Sequence, residues 1–331
     1  MTESKDIQET GGESVSAKSG NVGKRADGDA GGEVIDRKSD LGGVLFALIG
    51  GIGWGFSGAC AQFLFGAYGV ESLWATVMRL LGAGVVLMAV CTVRFRRDLR
   101  ALWTCPRDVA HLVLFALAGL AFCQAAYLLA IENSNAGTAT VLQYIGPVFI
   151  VVFACFRGRK LPTLREAIAV GCVIVGTFLV ATHGNPANMV LTPAGLTWGL
   201  LAALGVALYS LLPVNLMLRY GAVPVVGSAM LVGGVVMCVG TQAWAVPVSL
   251  DATGWLALLG GLVLIGTVVG YTFYLQGVNM IGASKASLIA SIETVSATLF
   301  AVVWLGTAFS WIDIVGFVFI MATVFLLAKK S

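Results

Sequence analysis

Along the chain, polar breaks interrupt the apolar positions about every twenty to thirty residues, a longer repeat than the two of a strand or the four of a surface helix. Apolar runs between charged or Gly/Pro-marked breaks fall near 42–64, 72–93, 109–131, 135–156, 163–181, 194–216, 225–247, 254–276, 284–305 and 310–328. Each approaches the roughly 20 residues that carry a helix across about 30 Å of hydrocarbon. The pattern predicts an all-α integral membrane protein of ten transmembrane helices, joined by short connections that make neighbours antiparallel hairpins. Composition agrees, since 58% of residues are hydrophobic and 11% charged, where a soluble domain carries about 25% charged residues.

Charge divides the chain and orients it. Residues 1–40 hold nine acids and six bases with few large apolar side chains, too little to bury for independent folding, so a disordered cytoplasmic tail is expected there. That segment lacks the basic start, apolar centre and small-residue cleavage site of a secretory leader, so the first crossing is expected to stay in the mature protein. Beyond it, bases occupy alternate loops only: Arg94, Arg96, Arg97, Arg100 and Arg107; Arg157, Arg159 and Lys160; Arg219; Lys285; Lys329 and Lys330. The intervening loops carry the acids Glu71, Glu132, Asp251 and Asp313 instead. Basic loops stay on the cytoplasmic side, which puts both termini in the cytoplasm and the protein in the plasma or inner membrane.

The chain also repeats. A shift of 147 residues lays "YLLAIENSNAGTATVLQYIGPV" (127–148) over "YLQGVNMIGASKASLIASIETV" (274–295) without a gap, and a shift of 153 sets Phe56-Ser57 on Tyr209-Ser210. Two five-span copies follow, over residues 41–183 and 184–331. An odd number of spans per copy inverts the second, the architecture of many secondary transporters, with the substrate site between repeats. Arg79 inside the second span, "NAGTATVLQYIGPVFIVVF" in the fourth and "ASKASLIASIETVSATLF" in the ninth resemble EamA-type members of the drug/metabolite transporter superfamily. The resemblance spans residues 42 to about 328 and implies a basket of helices around a central cavity and export of small metabolites such as amino acids. The chain departs from that pattern at Thr294, where a proline is usual, and at Arg159 and Thr307, where glutamate is common.

Polar side chains inside hydrocarbon are costly and face a cavity or a partner. Glu293, in the middle of the ninth run, reads either as a carboxylate for proton coupling or for binding a substrate ammonium, or as a protonated or Arg-paired glutamate that glues helices. Helical spacing sets Ala286, Ala290, Glu293 and Ala297 on one face and Ser284, Ser287, Ser291, Thr294 and Thr298 on the next. Arg79 lies at a depth that allows pairing with Glu293 or snorkelling to the surface; Lys285 is near enough to the surface to snorkel. Gln124 and Tyr127 correspond to Tyr271 and Tyr274 under the repeat, each pair spaced to share a helix face. With Trp54, Tyr144 and Tyr209 they could wall an aromatic pocket for an organic solute. Gln143 and Pro147 mark a bend that frees a carbonyl, tolerated where backbone lines a cavity. Gly51-x-x-x-Gly55 and Gly266-x-x-x-Gly270 suit close helix contacts.

Other functions are disfavoured. Seven scattered cysteines without a C-x-x-C pair, and only His111 and His183, predict buried small hydrophobes and no metal. No P-loop, cofactor signature or nucleic-acid partner is indicated. "GFSG" at 55–58 fits an intramembrane serine protease signature, but no histidine is placed to serve Ser57, so no catalytic residue is expected. The expectation is a secondary transporter moving a small-molecule solute through membrane lipid, with a proton as candidate coupling ion; an uncoupled facilitator or multidrug efflux protein of the same fold is the alternative.

Overall fold

The structure is a computed structural model in which residues 29–158, 161–183, 185 and 191–328 are described. The chain divides into Met1–Lys38 and Ser39–Ser331. In the first unit residues 29–38 are helical, and the first 28 residues of the expected tail lie outside the described residues. The second unit is all-helical among the described residues. Its first crossing, α1, is Leu41–Tyr68; there follow α2 (Ser72–Arg94), α3 (Arg96–Thr104), α4 (Pro106–Glu132), α5 (Ala136–Gln143), α6 (Gly146–Gly158) and α7 (Leu164–Thr182). The second half holds α8 (Pro193–Leu211), α9 (Val214–Tyr220), α10 (Ala222–Thr241), α11 (Ala252–Ile281), α12 (Ala283–Ala290), α13 (Ile292–Val303) and α14 (Trp311–Ala328).

Nine stretches among the described residues are long and apolar enough to cross a membrane, where ten were expected. The tenth helix, Trp311–Ala328, lies where the pattern put it, and over its described side chains, Trp311–Leu326, it carries no charged residue except Asp313 in its first turn. A cap fixes its start: Ser310 N–H donates to Asp313 Oδ2 (2.8 Å) and Asp313 N–H to Ser310 Oγ (3.2 Å), which satisfies first-turn donors. Its other anchor is α7, against which Gly176 and Gly316 face each other so closely that a Cβ on either would press into the other's carbonyl. At the same end His183 Nε2 lies 2.8 Å from Asp313 Oδ1.

Two runs expected as continuous helices are broken, and at equivalent places. The fourth span divides into α5 and α6 around Tyr144 and Ile145; the ninth divides into α12 and α13 at Ser291, which the 147-residue shift sets on Tyr144. Pro147 explains the first break, because it has no N–H to give the Gln143 carbonyl. Ser291 supplies the second without proline: its hydroxyl donates to the Leu288 carbonyl (2.6 Å) and its own carbonyl is taken at short range by Thr294 N–H (3.1 Å). The third and eighth spans likewise widen into π-helix over Phe115–Ala121 and Leu256–Val269. The basic connection after α2, expected as a loop, is the amphipathic helix α3, which buries Leu102 and donates from Trp103 Nε1 to Ser228 Oγ (3.3 Å).

Glycine lets α1 sit against both α11 and α13. A Cβ at Gly51 would meet the Ala290 carbonyl, and one at Gly55 the Ser296 hydroxyl and the backbone of Glu293 and Ala297. On the other side, a Cβ at Gly266 would overlap the Ser57 side chain and one at Gly270 would reach Trp54 Nε1. Both glycine pairs singled out in the sequence are therefore contacts of the same helix.

The ends of the helices carry a matched pair of links. At the end holding the start of α2, Tyr68 Oη donates to Asp251 Oδ1, and Gly254 N–H donates to the same carboxylate (2.8 Å). At the opposite, basic end, Tyr220 Oη donates to Asp108 Oδ2 (2.7 Å), with Arg219 Nη1 3.4 Å from that carboxylate. Tyr68-Gly69 precedes the second span as Tyr220-Gly221 precedes the seventh, while Asp108 and Asp251 open the third and eighth. Each bond joins one half of the chain to the other. The Tyr68 hydroxyl, followed by the Gly254 amide, holds the Asp251 carboxyl below the usual range, and the Asp108 carboxylate pushes the Tyr220 hydroxyl up.

Two predictions follow from packing and charge. Gly266→Val, which overlaps Ser57, lowers the detergent-solubilised melting temperature by several degrees, as overpacking by about 1–3 kcal/mol implies; Gly66→Ala, where nothing lies within 4 Å, leaves it unchanged or raised. For the link at Asp251, a lowered native pKa means stability that is present above the unfolded value of about 3.9 and lost as pH falls through the native one. Tyr68→Phe therefore destabilises at pH 7, and its difference from wild type shrinks once pH falls below about 4, read by thermal scans across pH.

Candidate functional site

A cavity of about 240 Å³ lies among α1, α2, α4, α5, α6, α8, α11, α12 and α13. Trp54 enters it from α1 and Arg79 from α2; α4 contributes Gln124 and Tyr127, and the break in the fourth span contributes Gln143, Tyr144 and Pro147. The second half answers with Tyr209 from α8, Tyr271 and Tyr274 from α11, Ser287 from α12 and Glu293 from α13. Every residue proposed from the sequence lines this space except Ser291. Ser291 is buried, with its hydroxyl turned back onto Leu288. The hydroxyl stripe drawn through an unbroken helix fails there because the helix stops and restarts at that residue.

Rings form much of the wall. Trp54 packs against Tyr271 and Tyr274 at centroid distances of 5.3 and 5.0 Å, Tyr209 lies 6.4 Å from Tyr271, and Phe115 backs Tyr209 at 5.9 Å. The Trp54–Tyr271 and Tyr209–Tyr271 contacts are edge-on and the other two tilted, geometries that hold ring partners in defined orientations. Tyr127 Oη and Thr140 Oγ1 share a hydrogen bond of 2.8 Å, and Gln143 Nε2 donates to Cys123 Sγ (3.6 Å). Both bonds cross the α4–α5 hairpin, so they stiffen the wall from behind.

Two charged groups face the space from different halves of the chain. Glu293 occupies the first turn of α13, where the exposed N–H groups of a helix start favour negative charge. Its Oε2 accepts from Tyr144 Oη (3.2 Å), and the same hydroxyl lies 3.3 Å from the Ala290 carbonyl. Arg79 is 4% exposed and gives its Nε to Thr267 Oγ1 (2.9 Å). The pairing considered between Arg79 and Glu293 is not made: the ion pairs within 4 Å among the described residues are His183–Asp313 and Arg219–Asp108. Arg79 does not snorkel either, being held at depth by Thr267.

Sequence reasoning missed Thr267 and Thr140, together with Leu120, Cys123, Val206, Ser210 and Ala290 in the lining. Thr267 had a signal, as the only hydroxyl in the apolar run Leu256–Val269. Ser57, the serine of the protease-like signature, is fully buried against Gly266, and among the described residues its hydroxyl has no hydrogen-bond partner, histidine included. Among the described residues no cluster of three or more His, Cys, Asp or Glu could hold a metal ion.

Exposure along the lining is uneven. Ser210 and Ser287, nearest the basic connections, are exposed; Tyr127, deeper in, belongs to an apolar cluster with Ala61, Leu64, Trp74, Ile131 and Leu258. Beyond that cluster Gln62 joins the halves, its Nε2 donating to Thr307 Oγ1 (2.8 Å) while its Oε1 accepts from Ala136 N–H (2.8 Å).

This two-fold construction is also what known proteins share with the chain. The profile of the EamA-like transporter family matches residues 41–182 and again 193–329, one match per half. The chain belongs to the EamA-like transporter family. The inner membrane transporter YicL of Salmonella typhimurium (strain LT2) is 34% identical over 289 residues, covering 87% of this chain and 96% of its own. A transporter of Archaeoglobus fulgidus is 23% identical over 233 residues, covering 67% and 79%. A crystal structure at 21% identity superposes with a TM-score of 0.57 over 88% of this chain and 99% of its own, which shows a shared fold. The EamA-like chain is thus a multi-pass membrane transporter of a small-molecule solute, built from two copies of one helical unit.

Proposed function

We propose that the protein exports amino acids or related small metabolites by alternating access between its two repeats. The observation that carries this reading is the cavity between the halves, lined by one carboxylate, Glu293, and one guanidinium, Arg79, that lie beyond ion-pair distance of each other. A volume of about 240 Å³ lies just below the range of drug-sized pockets, about 300–1,000 Å³, and so favours metabolites over bulky drugs. The aromatic wall suits an organic body, and opposite charges at separate points suit a solute that carries both.

Direction and coupling rest on the same geometry. The basic end faces the cytoplasm by the distribution of Lys and Arg, so the exposed lining at Ser210 and Ser287 is where an exporter loads. The Tyr68–Asp251 and Tyr220–Asp108 links are formed together at opposite ends, so they hold the frame and do not alternate. Gln62 behaves otherwise. Its bonds close the far end, whereas Asn215, set on it by the 153-residue shift, is exposed at the basic end. Opening outward breaks the Gln62 bonds and closes the basic end at Asn215. Glu293, at the hinge between α12 and α13, is the carboxylate that exchanges a proton or meets the substrate ammonium.

Purified protein in liposomes, offered a panel of amino acids and drugs, is expected to give saturable flux of amino acids that depends on pH. Glu293→Gln is expected to cut coupled flux by about tenfold or more and to flatten the pH dependence, as loss of an intramembrane relay carboxylate does. Absence of saturable flux for every organic solute overturns the proposal; flux that is saturable but indifferent to pH and to Glu293→Gln assigns an uncoupled facilitator instead.

A further inference from the structure

Among the described residues, three buried side-chain donors in or behind the cavity wall lack hydrogen-bond partners: Trp54 Nε1, Ser57 Oγ and Arg79 Nη1. The first two are turned into helix packing, Trp54 Nε1 against Gly270 and the Ser57 hydroxyl against Gly266. Arg79 differs. It is the one cation among the residues lining the cavity, and its Nε is fixed by Thr267, whose own hydroxyl donates to the Leu262 carbonyl (3.0 Å) in the π-helical stretch. That hydroxyl is thereby oriented to accept from Arg79, and the guanidinium is held with Nη1 unused. A guanidinium at this depth is expensive and is normally paired. The one carboxylate lining the cavity is not its partner, because Glu293 accepts from Tyr144 and makes no ion pair with it.

We propose that Arg79 is the receptor for the carboxylate of the transported solute, which makes the substrates zwitterions whose ammonium lies towards Glu293. This inference rests on the transport reading above and narrows it. A planar guanidinium matches a carboxylate with parallel hydrogen bonds, and Thr267, by anchoring Nε, is a positioning residue that aims the fork. Buried donors left unpaired reject analogues lacking the acceptor, so esters and decarboxylated amines with the same side chain should be poor substrates.

The test compares leucine and phenylalanine with their methyl esters and with isopentylamine and phenethylamine, in proteoliposomes and in thermal-shift binding to purified protein. Wild type is expected to prefer each amino acid over its ester and amine by at least about tenfold in half-saturation. Arg79→Gln is expected to bring that preference within about twofold, and Arg79→Lys, a point charge without the fork, to leave it intermediate. Thr267→Val, close in shape and less prone to misfold, is expected to raise half-saturation several-fold for the amino acids more than for the esters. An acid-over-ester preference that survives in Arg79→Gln, or that is undiminished in Thr267→Val should the first variant not fold, overturns the assignment while transport stands. Equal handling of acid, ester and amine by wild type overturns it too. No binding or flux of any of these probes by wild type overturns both this assignment and the proposed substrate class.

Discussion

An arginine and a glutamate buried in the same membrane-depth space, each held by a neutral hydroxyl and neither by the other, set the terms for the rest of the structure. Direct contact would have neutralised both and made them helix glue. Separation requires a water-accessible or ligand-accessible space between them and a rigid wall behind each, because isolated charges in hydrocarbon cost several kcal/mol. The wall behind Arg79 is the Thr267 hydroxyl, fixed by a π-helical carbonyl; the wall behind Glu293 is the start of a half-helix and the Tyr144 hydroxyl. Each charge from one half leans on, or faces, an element of the other.

The backbone irregularities serve that separation. A regular helix has no free carbonyls or amides in its middle and cannot stop at membrane depth without a cavity to receive it. Both copies of the repeat interrupt the same helix at the same position, and both loosen the preceding span into π-helix. The glycines of α1 then allow the broken ninth span and the loosened eighth span to close on it from two sides. Side chains larger than hydrogen there would force apart the walls that hold Trp54, Tyr271 and Glu293 together.

Much of this was legible in the sequence because membrane insertion writes it in long, coarse signals. Apolar runs located the helices, and the gapless 147-residue repeat paired Gln124 and Tyr127 with Tyr271 and Tyr274, which meet around one space. The pocket residues were found because a polar or aromatic side chain stands out in an apolar run. What stayed hidden depended on local backbone geometry. Ser291 was placed by extending an ideal helix through a residue whose own hydroxyl ends that helix. Residues 96–104 looked like a charged loop, although Leu102 and Trp103 give them an apolar face. Thr267 is a small hydroxyl that matters only because a guanidinium from a distant helix reaches it, and periodicity carries no information about such a meeting.

The proposed transport cycle has one cavity between the repeats, reached from the basic end in one state and from the other end after the Gln62 bonds break. Two-sided labelling tests it most directly, with a single cysteine replacing Ser287 in a background cleared of the seven native cysteines, and impermeant maleimide applied from each face of the membrane. The account predicts rapid labelling from the face bearing Arg96, suppressed when Gln62→Ala frees the far end, with a cysteine at Tyr127 then becoming reactive from the opposite face. Labelling of both positions from the same face, unchanged by Gln62→Ala, would contradict it.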